Sequence, residues 1–195
     1  MTNCVVLLRA VTVGGRTLSM DRFRQALTAI GCPMVTTLGT TGNAVVHRPR
    51  AACNGAFERL IELALASRAG VPTAAFVRDP QEWDQIVRGN PFPSEAREDP
   101  AHLVLTVLKS TPPAGVWRTL SDGIVGREVV RSGGRHAYIV YPDGIGRSKL
   151  TATRIERLLG VGGTSRNWNT VLRLRGELER LAGSTSRPLD RQKRI

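Results

Sequence analysis

Apolar residues in the first 79 positions follow two periods, one typical of strands and one typical of helices. Amphipathic helices are predicted after Ser19, which can cap the first of them, and around Phe57. Short apolar runs predict strands at residues 4–9, 34–38, 44–47 and 73–78. The resulting order, β-α-β-β-α-β, is that of a ferredoxin-like unit, in which an antiparallel sheet carries both helices on one face.

The same order of elements returns after residue 100, although less completely. The pattern predicts a strand at 102–109, a helix at 114–120, a hairpin of strands at 127–131 and 136–141, and a helix at 151–159. No final strand is evident before a last helix, which is predicted from residue 167 to 181. We therefore expect an α+β protein with two ferredoxin-like βαββαβ-type subdomains, antiparallel sheets and an extra C-terminal helix.

The stretch between the two units differs from both. Pro80 opens a predicted helix, and residues 90–100 are rich in proline and acidic residues, as linkers are. From Ser184 onward the chain is small, polar and basic, and we expect it to be disordered. The predicted organisation is a ferredoxin-like subdomain at 1–79, a helix and linker at 80–100, a second subdomain with the C-terminal helix at 101–183, and a basic tail at 184–195.

The formal net charge of +12 is the one extreme of an otherwise average composition, and it indicates an anionic partner. The chain holds 25 arginines but only 3 lysines, a bias that a GC-rich genome produces without functional pressure. Of the excess charge, +8 lies between Arg147 and the C-terminus, where it can form a patch. A solvated helix face with a loose basic tail explains the same distribution.

The remaining composition predicts the compartment. No run of about 18 apolar residues occurs, and the N-terminus has no signal-peptide pattern, so we expect no membrane association and a cytoplasmic protein, either monomer or homodimer. Cys4, Cys32 and Cys53 are odd in number and lack metal-ligand spacing, which argues against a disulfide framework and a zinc site. We predict reduced cysteines, no metal and no cofactor.

The segment 144–149, Gly-Ile-Gly-Arg-Ser-Lys, has the composition of an anion-binding turn. Its two glycines allow successive backbone amides to converge, Ser148 can cap the following helix, and Arg147 and Lys149 flank the opening. The spacing is neither that of a P-loop nor that of a dinucleotide-binding turn. A glycine-rich turn with a serine cap explains the same residues without a ligand. We predict Arg147, Ser148 and Lys149 as ligand-binding residues.

A second polar cluster lies at the start of the last predicted helix, where Thr164 or Ser165 can act as the cap. Packing of the tryptophan on the sheet, with neighbouring loops tied down by the polar groups, explains the cluster without a ligand. The sharper prediction is that both segments face one pocket, in which Arg166 and Lys149 neutralise an anion and Trp168 stacks on it. The predicted ligand-binding residues here are Arg166, Asn167, Trp168 and Asn169.

A third set lies after the first strand and in the first hairpin. Arg9 interrupts an apolar strand, so its guanidinium must be paired or open to solvent. The sequence does not fix whether the two parts of this set meet. The secondary ligand-binding candidates are Arg9, Gly14, Gly15, Thr41 and Asn43.

Recognised enzyme motifs are otherwise missing from the sequence. The three histidines, His47, His102 and His136, all lie in or beside predicted strands, where general bases are less common than edge residues. Aromatic residues make up only 5% of the chain, which is thin for a nucleic-acid stacking platform. The sequence therefore does not decide whether the protein is an enzyme.

Five short motifs carry a resemblance to a known family. They are residues 7–15 (Leu-Leu-Arg-Ala-Val-Thr-Val-Gly-Gly), 41–43 (Thr-Gly-Asn), 90–92 (Asn-Pro-Phe), 144–149 and 164–170. In this order they resemble the bacterial family of unknown function DUF1697 over nearly the whole chain. The resemblance implies two ferredoxin-like subdomains, a small cytoplasmic protein and no established activity. The chain departs from the family pattern at Thr12, which usually is Asn, and at Thr41, which usually is Ser. If relatives hold a ligand through the side-chain amide of that asparagine, this protein would bind the ligand more weakly or bind a different ligand.

Three functional hypotheses follow from these residues. The first is an uncharacterised bacterial protein that binds an anionic or phosphate-bearing ligand, whether nucleotide, metabolite or nucleic acid, at a Gly-rich basic site in its C-terminal half. The second is a small phosphate-handling or transferase-like enzyme, in which Lys149 and Arg166 stabilise developing charge. The third is a protein–protein assembly module.

Overall fold

Two antiparallel four-stranded sheets organise the computed structural model, which describes residues 2–48 and 53–185. The strands are β1 (Thr2–Leu8), β2 (Thr12–Val13), β3 (Arg16–Thr17), β4 (Met34–Thr37), β5 (Asn43–Arg48), β6 (Ala75–Arg78), β7 (Leu103–Leu108), β8 (Val129–Ser132), β9 (His136–Val140) and β10 (Gly163–Asn167). The α-helices are α1 (Met20–Ala29), α2 (Gly55–Ala64), α3 (Pro80–Arg88), α4 (Pro93–Glu98), α5 (Val116–Asp122), α6 (Ala152–Leu159) and α7 (Trp168–Thr185). Within the described ranges, every helix is too short or too polar to cross a membrane.

The N-terminal sheet has the order β4-β5-β1-β6, so the first strand lies in its middle between two antiparallel neighbours. Because side chains alternate along β1, Val6 and Leu8 face a core that contains Phe23 of α1 and residues of α2. Val5 and Leu7 face the opposite side and join a different core. This sheet has the predicted β-α-β-β-α-β connectivity.

The C-terminal sheet has the order β10-β7-β9-β8, which repeats the connectivity of the N-terminal sheet element by element. Its final strand, β10, was not expected from the sequence. The strand reads Gly-Thr-Ser-Arg-Asn and pairs only with β7 at the sheet edge, so it carries no apolar pattern. The predicted second ferredoxin-like unit is therefore complete, and its outer face is covered by α5 and α6.

Helices α3 and α7 lie between the two sheets. Their core contains Trp83 of α3 and Leu174 of α7, together with Leu7 from one sheet and Leu105 from the other. Each helix directly follows the last strand of its own unit, α3 after β6 and α7 after β10. The C-terminal helix thus has a counterpart in the N-terminal unit, and both units contribute to one shared layer.

The region 80–100 is more ordered than a linker. Trp83 and Ile86 of α3 are buried, and residues predicted as a Pro-flanked linker form the short helix α4. Pro93 occupies the first turn of α4, where its missing amide costs nothing. The last helix continues to Thr185, and most of the predicted basic tail, 186–195, lies outside the described residues.

Two of the three cysteines correct the sequence prediction. Cys4 of β1 and Cys53, just before α2, form a disulfide, with their Cα atoms 5.9 Å apart. Cys32 is a buried free thiol, and burial raises its pKa to about 11. A separation of 49 residues gives no motif, which is why cysteine spacing did not reveal the pair.

Candidate functional site

The predicted loop at 144–149 follows β9 and lines a cavity of about 200 Å³. Gly144 has a φ of 83°, which glycine tolerates, and Ile145–Arg147 form a short 3-10 turn. Tyr141 forms the buried wall and donates a 3.1 Å hydrogen bond to the carbonyl oxygen of Leu150. The cavity is lined by Val125, Gly126, Glu128, Tyr141, Pro142, Asp143, Gly144, Arg147, Ser148 and Lys149.

Ser148 does not have the predicted role of a helix cap. The cap of α6 is Thr151, whose hydroxyl accepts a 3.3 Å hydrogen bond from the amide of Arg154. The Ser148 hydroxyl instead donates to the carboxylate of Glu128 and accepts a 2.9 Å hydrogen bond from the amide of Leu150. Its hydrogen-bonding capacity is therefore used within the loop.

The two cations of this loop are both available to a ligand. Arg147 and Lys149 are exposed and have no ion-pair or side-chain hydrogen-bond partner among the residues that the structure describes. Asp143 forms a 3.0 Å ion pair with Arg127, and Glu128 is held by the serine hydroxyl. Two unpaired positive charges thus line the cavity beside two acids that already have partners.

Arg166 lies elsewhere, so the prediction that both segments face one pocket is wrong. Its guanidinium is not part of the lining of the 144–149 cavity and instead bridges the two units of the fold. The acceptors are Asn43 Oδ1, Thr164 Oγ1 at 2.8 Å, and the carbonyl oxygens of Ser165 at 2.8 Å, Leu8 at 2.8 Å and Thr41 at 3.1 Å. Burial lowers the pKa of Arg166 to about 10, so the side chain stays charged at neutral pH.

The neighbours of Arg166 also differ from the prediction. Trp168 is only 2% exposed and packs near Tyr138, with ring centroids 6.2 Å apart, so its faces are not free to stack on a ligand. Asn167 caps α7, because its side-chain oxygen accepts a 3.0 Å hydrogen bond from the amide of Thr170. Thr164 and Ser165, which the sequence offered as caps of this helix, are residues of strand β10 instead. Asn169 is exposed and does not line the 144–149 cavity.

Arg9, Gly14 and Gly15, the first three of the secondary candidates, have structural roles. Arg9 forms a 2.5 Å ion pair with Glu156 of α6, which joins the N-terminal unit to the C-terminal unit. Gly14 and Gly15 form the turn between β2 and β3, both with positive φ. Thr12 shares a 2.9 Å hydrogen bond with Thr17 across this hairpin. The hydroxyl at position 12 therefore has a structural partner.

Thr41 and Asn43, the other two secondary candidates, both accept hydrogen bonds from Arg166. Asn43 donates from its side-chain nitrogen to Thr41 Oγ1 at 3.0 Å and to the carbonyl oxygen of Leu38 at 3.1 Å. Gly42 between them has a φ of 75°, and a Cβ there would lie 2.7 Å from Leu8 Cβ. The hairpin thus needs glycine at this position, and the carbonyl and amide oxygens beside it are held toward the guanidinium.

An equivalent buried arginine, which the sequence did not single out, lies in the N-terminal unit. Arg78 is 2% exposed and donates to the carbonyl oxygens of Val77 at 2.8 Å, Leu108 at 2.7 Å and Arg135 at 3.0 Å. Burial lowers its pKa to about 10, and the nearby charge of Arg135 adds to this effect. Arg78 thus crosses between the units as Arg166 does.

Acidic side chains surround this second arginine. Lys109 forms ion pairs with Glu58 at 2.9 Å and with Glu62 at 2.6 Å, and Glu58 lies 4.0 Å from the Arg78 guanidinium. We call Arg78, Lys109, Glu58 and Glu62 the Arg78 cluster, and Arg166, Arg9, Glu156 and Asn43 the Arg166 cluster. Both clusters lie at the junction of the two units.

His136 borders the Arg78 cluster but is not placed as a general base. Burial, aided by the charge of Arg78, lowers the pKa of His136 to about 4. Tyr138, whose pKa burial raises to about 12, donates its hydroxyl proton to the carbonyl oxygen of Ile86 at 2.7 Å. The 3.1 Å contact between His136 Nε2 and the tyrosine oxygen then requires the proton on Nε2. In the described part of the chain, no three His, Cys, Asp or Glu side chains cluster as metal ligands do.

Comparison with known families assigns most of the chain to one family. Residues 1–138 match the model of a family described as "Protein of unknown function (DUF1697)". The chain belongs to this family. The DUF1697 match includes the Arg78 cluster and the secondary set but ends before segments 144–149 and 164–170.

Solved structures extend the fold assignment beyond the DUF1697 match. A conserved bacterial protein from Streptococcus pneumoniae superposes with a TM-score of 0.70 at 16% sequence identity, covering 92% of this chain and 99% of its own. At this identity the likeness shows a common fold only. A search of curated proteins finds no significant match.

Proposed function

We propose that this DUF1697 protein binds a small phosphate-bearing anion in the cavity lined by the 144–149 loop. The observation that carries the proposal is the pair of unpartnered cations, Arg147 and Lys149, on the wall of one cavity. Charged donors of this kind make strong hydrogen bonds to phosphate oxygens, because both partners are ionised.

The charges around the cavity favour an anion over a cation. Asp143 is neutralised by Arg127, and the Glu128 carboxylate accepts a hydrogen bond from the Ser148 hydroxyl but keeps its charge, so two positive charges face one unneutralised negative charge. A cation would therefore compete with existing partners of the acids, whereas an anion meets two free positive groups. Because Arg147 and Lys149 are exposed, their attraction for an anion is screened by salt, and binding should weaken as ionic strength rises.

The size of the cavity favours a compact ligand. About 200 Å³ is below the range of about 300–1,000 Å³ that drug-sized ligands occupy. Its aromatic residue, Tyr141, is buried and engaged with Leu150, so it offers no platform for base stacking. These features support a phosphate group or small phosphomonoester and argue against a polynucleotide.

Isothermal titration calorimetry with inorganic phosphate and a panel of small phosphomonoesters tests the proposal. The double variant Arg147→Ala/Lys149→Ala should lose at least tenfold in affinity and keep its melting temperature, since neither side chain supports the fold. The matched control is Arg22→Ala/Arg173→Ala, which removes the same charge from exposed positions of α1 and α7. Equal losses in both variants would show general electrostatic attraction and overturn the proposal.

The enzymatic alternative is distinguished by a second measurement. Each phosphomonoester that binds is incubated with the protein, and release of inorganic phosphate or transfer to a second substrate is followed by mass spectrometry. Binding without turnover supports a binding protein. Turnover that disappears in the Arg147→Ala/Lys149→Ala variant assigns the reaction to this cavity.

A further inference from the structure

The pairing registers of the two sheets make the two clusters directly comparable. Leu8 of β1 pairs with the first residue of β6, and Leu108 of β7 pairs with the first residue of β10. Three residues further along these last strands stand Arg78 and Arg166. Arg78 donates to the carbonyl oxygen of Leu108, and Arg166 donates to that of Leu8. The two arginines therefore occupy equivalent positions and make reciprocal contacts across the junction.

One carboxylate is also equivalent in the two clusters. Glu62 of α2 accepts a 2.9 Å hydrogen bond from the amide of Ala75, the first residue of β6. Glu156 of α6 accepts a 2.8 Å hydrogen bond from the amide of Gly163, the first residue of β10. Each of these glutamates also binds the cation that follows the central strand of the other unit, Lys109 or Arg9.

The second carboxylate is present in only one cluster. Glu58 lies one helical turn before Glu62 and accepts a 2.8 Å hydrogen bond from the amide of Val77. The position one turn before Glu156 is Ala152, the first residue of α6. The amide equivalent to that of Val77 belongs to Ser165, and in the described part of the chain no carboxylate reaches it. The Arg166 cluster thus lacks the group that completes the Arg78 cluster.

The charge balance differs accordingly. In the Arg78 cluster, Glu58 and Glu62 balance Arg78 and Lys109. In the Arg166 cluster, Glu156 alone faces two cations, and among the described residues no carboxylate lies within ion-pair distance of the Arg166 guanidinium. Arg9 keeps 52% of its side chain exposed, and Ala152 is exposed, so solvent reaches the place of the missing carboxylate.

We propose that the Arg166 cluster binds a carboxylate of a small-molecule ligand at the place that Glu58 occupies in the Arg78 cluster. The ligand carboxylate would accept the Ser165 amide and face Arg9 and Arg166, as Glu58 accepts the Val77 amide and faces Lys109 and Arg78. This site is separate from the 144–149 cavity and does not depend on the function proposed for it.

Installing the missing carboxylate tests the proposal. Thermal unfolding is measured in sodium succinate and in sodium chloride of equal ionic strength. The unchanged protein should melt at a higher temperature in succinate, by a shift that grows with its concentration. Ala152→Glu should abolish that shift and raise the melting temperature in chloride, because it supplies the carboxylate from within. The control Thr153→Glu adds the same charge at the next exposed position of α6 and should keep the succinate shift.

The outcomes also separate this site from the cavity. The Arg147→Ala/Lys149→Ala variant should keep its succinate shift, even if it loses phosphate binding. No succinate shift in the unchanged protein, or an equal shift in Ala152→Glu, would overturn the proposal. Loss of the shift in Arg147→Ala/Lys149→Ala would also overturn it, by assigning the carboxylate to the other site.

Discussion

The Arg78 cluster and the Arg166 cluster occupy equivalent positions in the two units, but only the Arg78 cluster has a full set of internal counter-charges. The Arg78 cluster neutralises its cations with two glutamates of its own chain, and Arg78 itself is 2% exposed. The Arg166 cluster keeps the arginine, the second cation and one glutamate, but has an alanine in place of the other. Two cations that face a single carboxylate at one defined place are more informative about a ligand than the net charge of the whole chain, because they state where a counter-charge is missing.

The largest loss of stability is expected when a carboxylate is removed from the Arg78 cluster. Glu58→Ala removes the carboxylate that serves Arg78, Lys109 and the Val77 amide, and should lower the free energy of unfolding by about 3 kcal/mol in urea denaturation. Glu58→Gln is the matched control, since it removes the charge but keeps an oxygen for the amide. A loss below about 1 kcal/mol for Glu58→Ala would break the comparison, because the counter-charge would then be dispensable.

The next effect concerns the backbone that presents acceptors to Arg166. Gly42→Ala should cost about 2 kcal/mol, because alanine is strained at a φ of 75° and its Cβ would meet Leu8. Gly39→Ala separates the two causes, since Gly39 has a φ of 66° but open space around its Cβ position. Urea denaturation of both variants gives the steric contribution of Leu8 by difference, and equal losses would contradict the clash.

The next largest effect is a dependence of stability on pH that comes from the C-terminal unit alone. His136 pairs with Val107 as Asn43 pairs with Leu7, so a titratable group occurs at this position in only one unit. The folded pKa of His136 is lowered to about 4, whereas the unfolded chain takes up the proton near pH 6.5. Stability should therefore fall as pH decreases from 6.5 toward 4. His136→Asn should flatten this decline in urea denaturation across the same range, and an unchanged slope would contradict the assignment.

The smallest effect is expected for the exposed ion pair beside the Arg78 cluster. Arg135 and Glu82 are 3.2 Å apart, with 38% and 32% of their side chains exposed. A double-mutant cycle with Arg135→Ala and Glu82→Gln should give a coupling energy of about 0.2–1 kcal/mol. The carbonyl oxygen of Arg135 still accepts from Arg78 in these variants. A larger coupling would mean that the pair belongs to the buried network.

Apolar periodicity predicted most of the fold because most strands are central or half-buried. The order β-α-β-β-α-β and the helix at Pro80–Arg88 could be read from the residues alone. Strand β10 could not, since its polar residues at a sheet edge are held by backbone pairing with β7. The disulfide between Cys4 and Cys53 depends on long-range proximity that no local pattern records.

Part of the lining of the 144–149 cavity could be predicted from the sequence, and ligand binding there stays a prediction. Arg147 and Lys149 could be recognised because glycine, serine and cations follow each other within one loop. The contacts of Arg166 were missed because they join two units that sequence reasoning treated separately. A local signal did exist: Leu8-Arg9 recurs as Leu108-Lys109 after the central strands, and Arg78-Asp79 recurs as Arg166-Asn167 before the inner helices.

The position of α7 has a consequence for synthesis of the chain. This helix of 18 residues packs against β1 and β5 of the N-terminal sheet as well as against β7 and β10. Until the ribosome releases it, Val5, Leu7 and Phe76 have lost only part of their contact with water. The nascent N-terminal unit therefore exposes apolar residues through most of translation, and we expect truncated chains that lack α7 to aggregate.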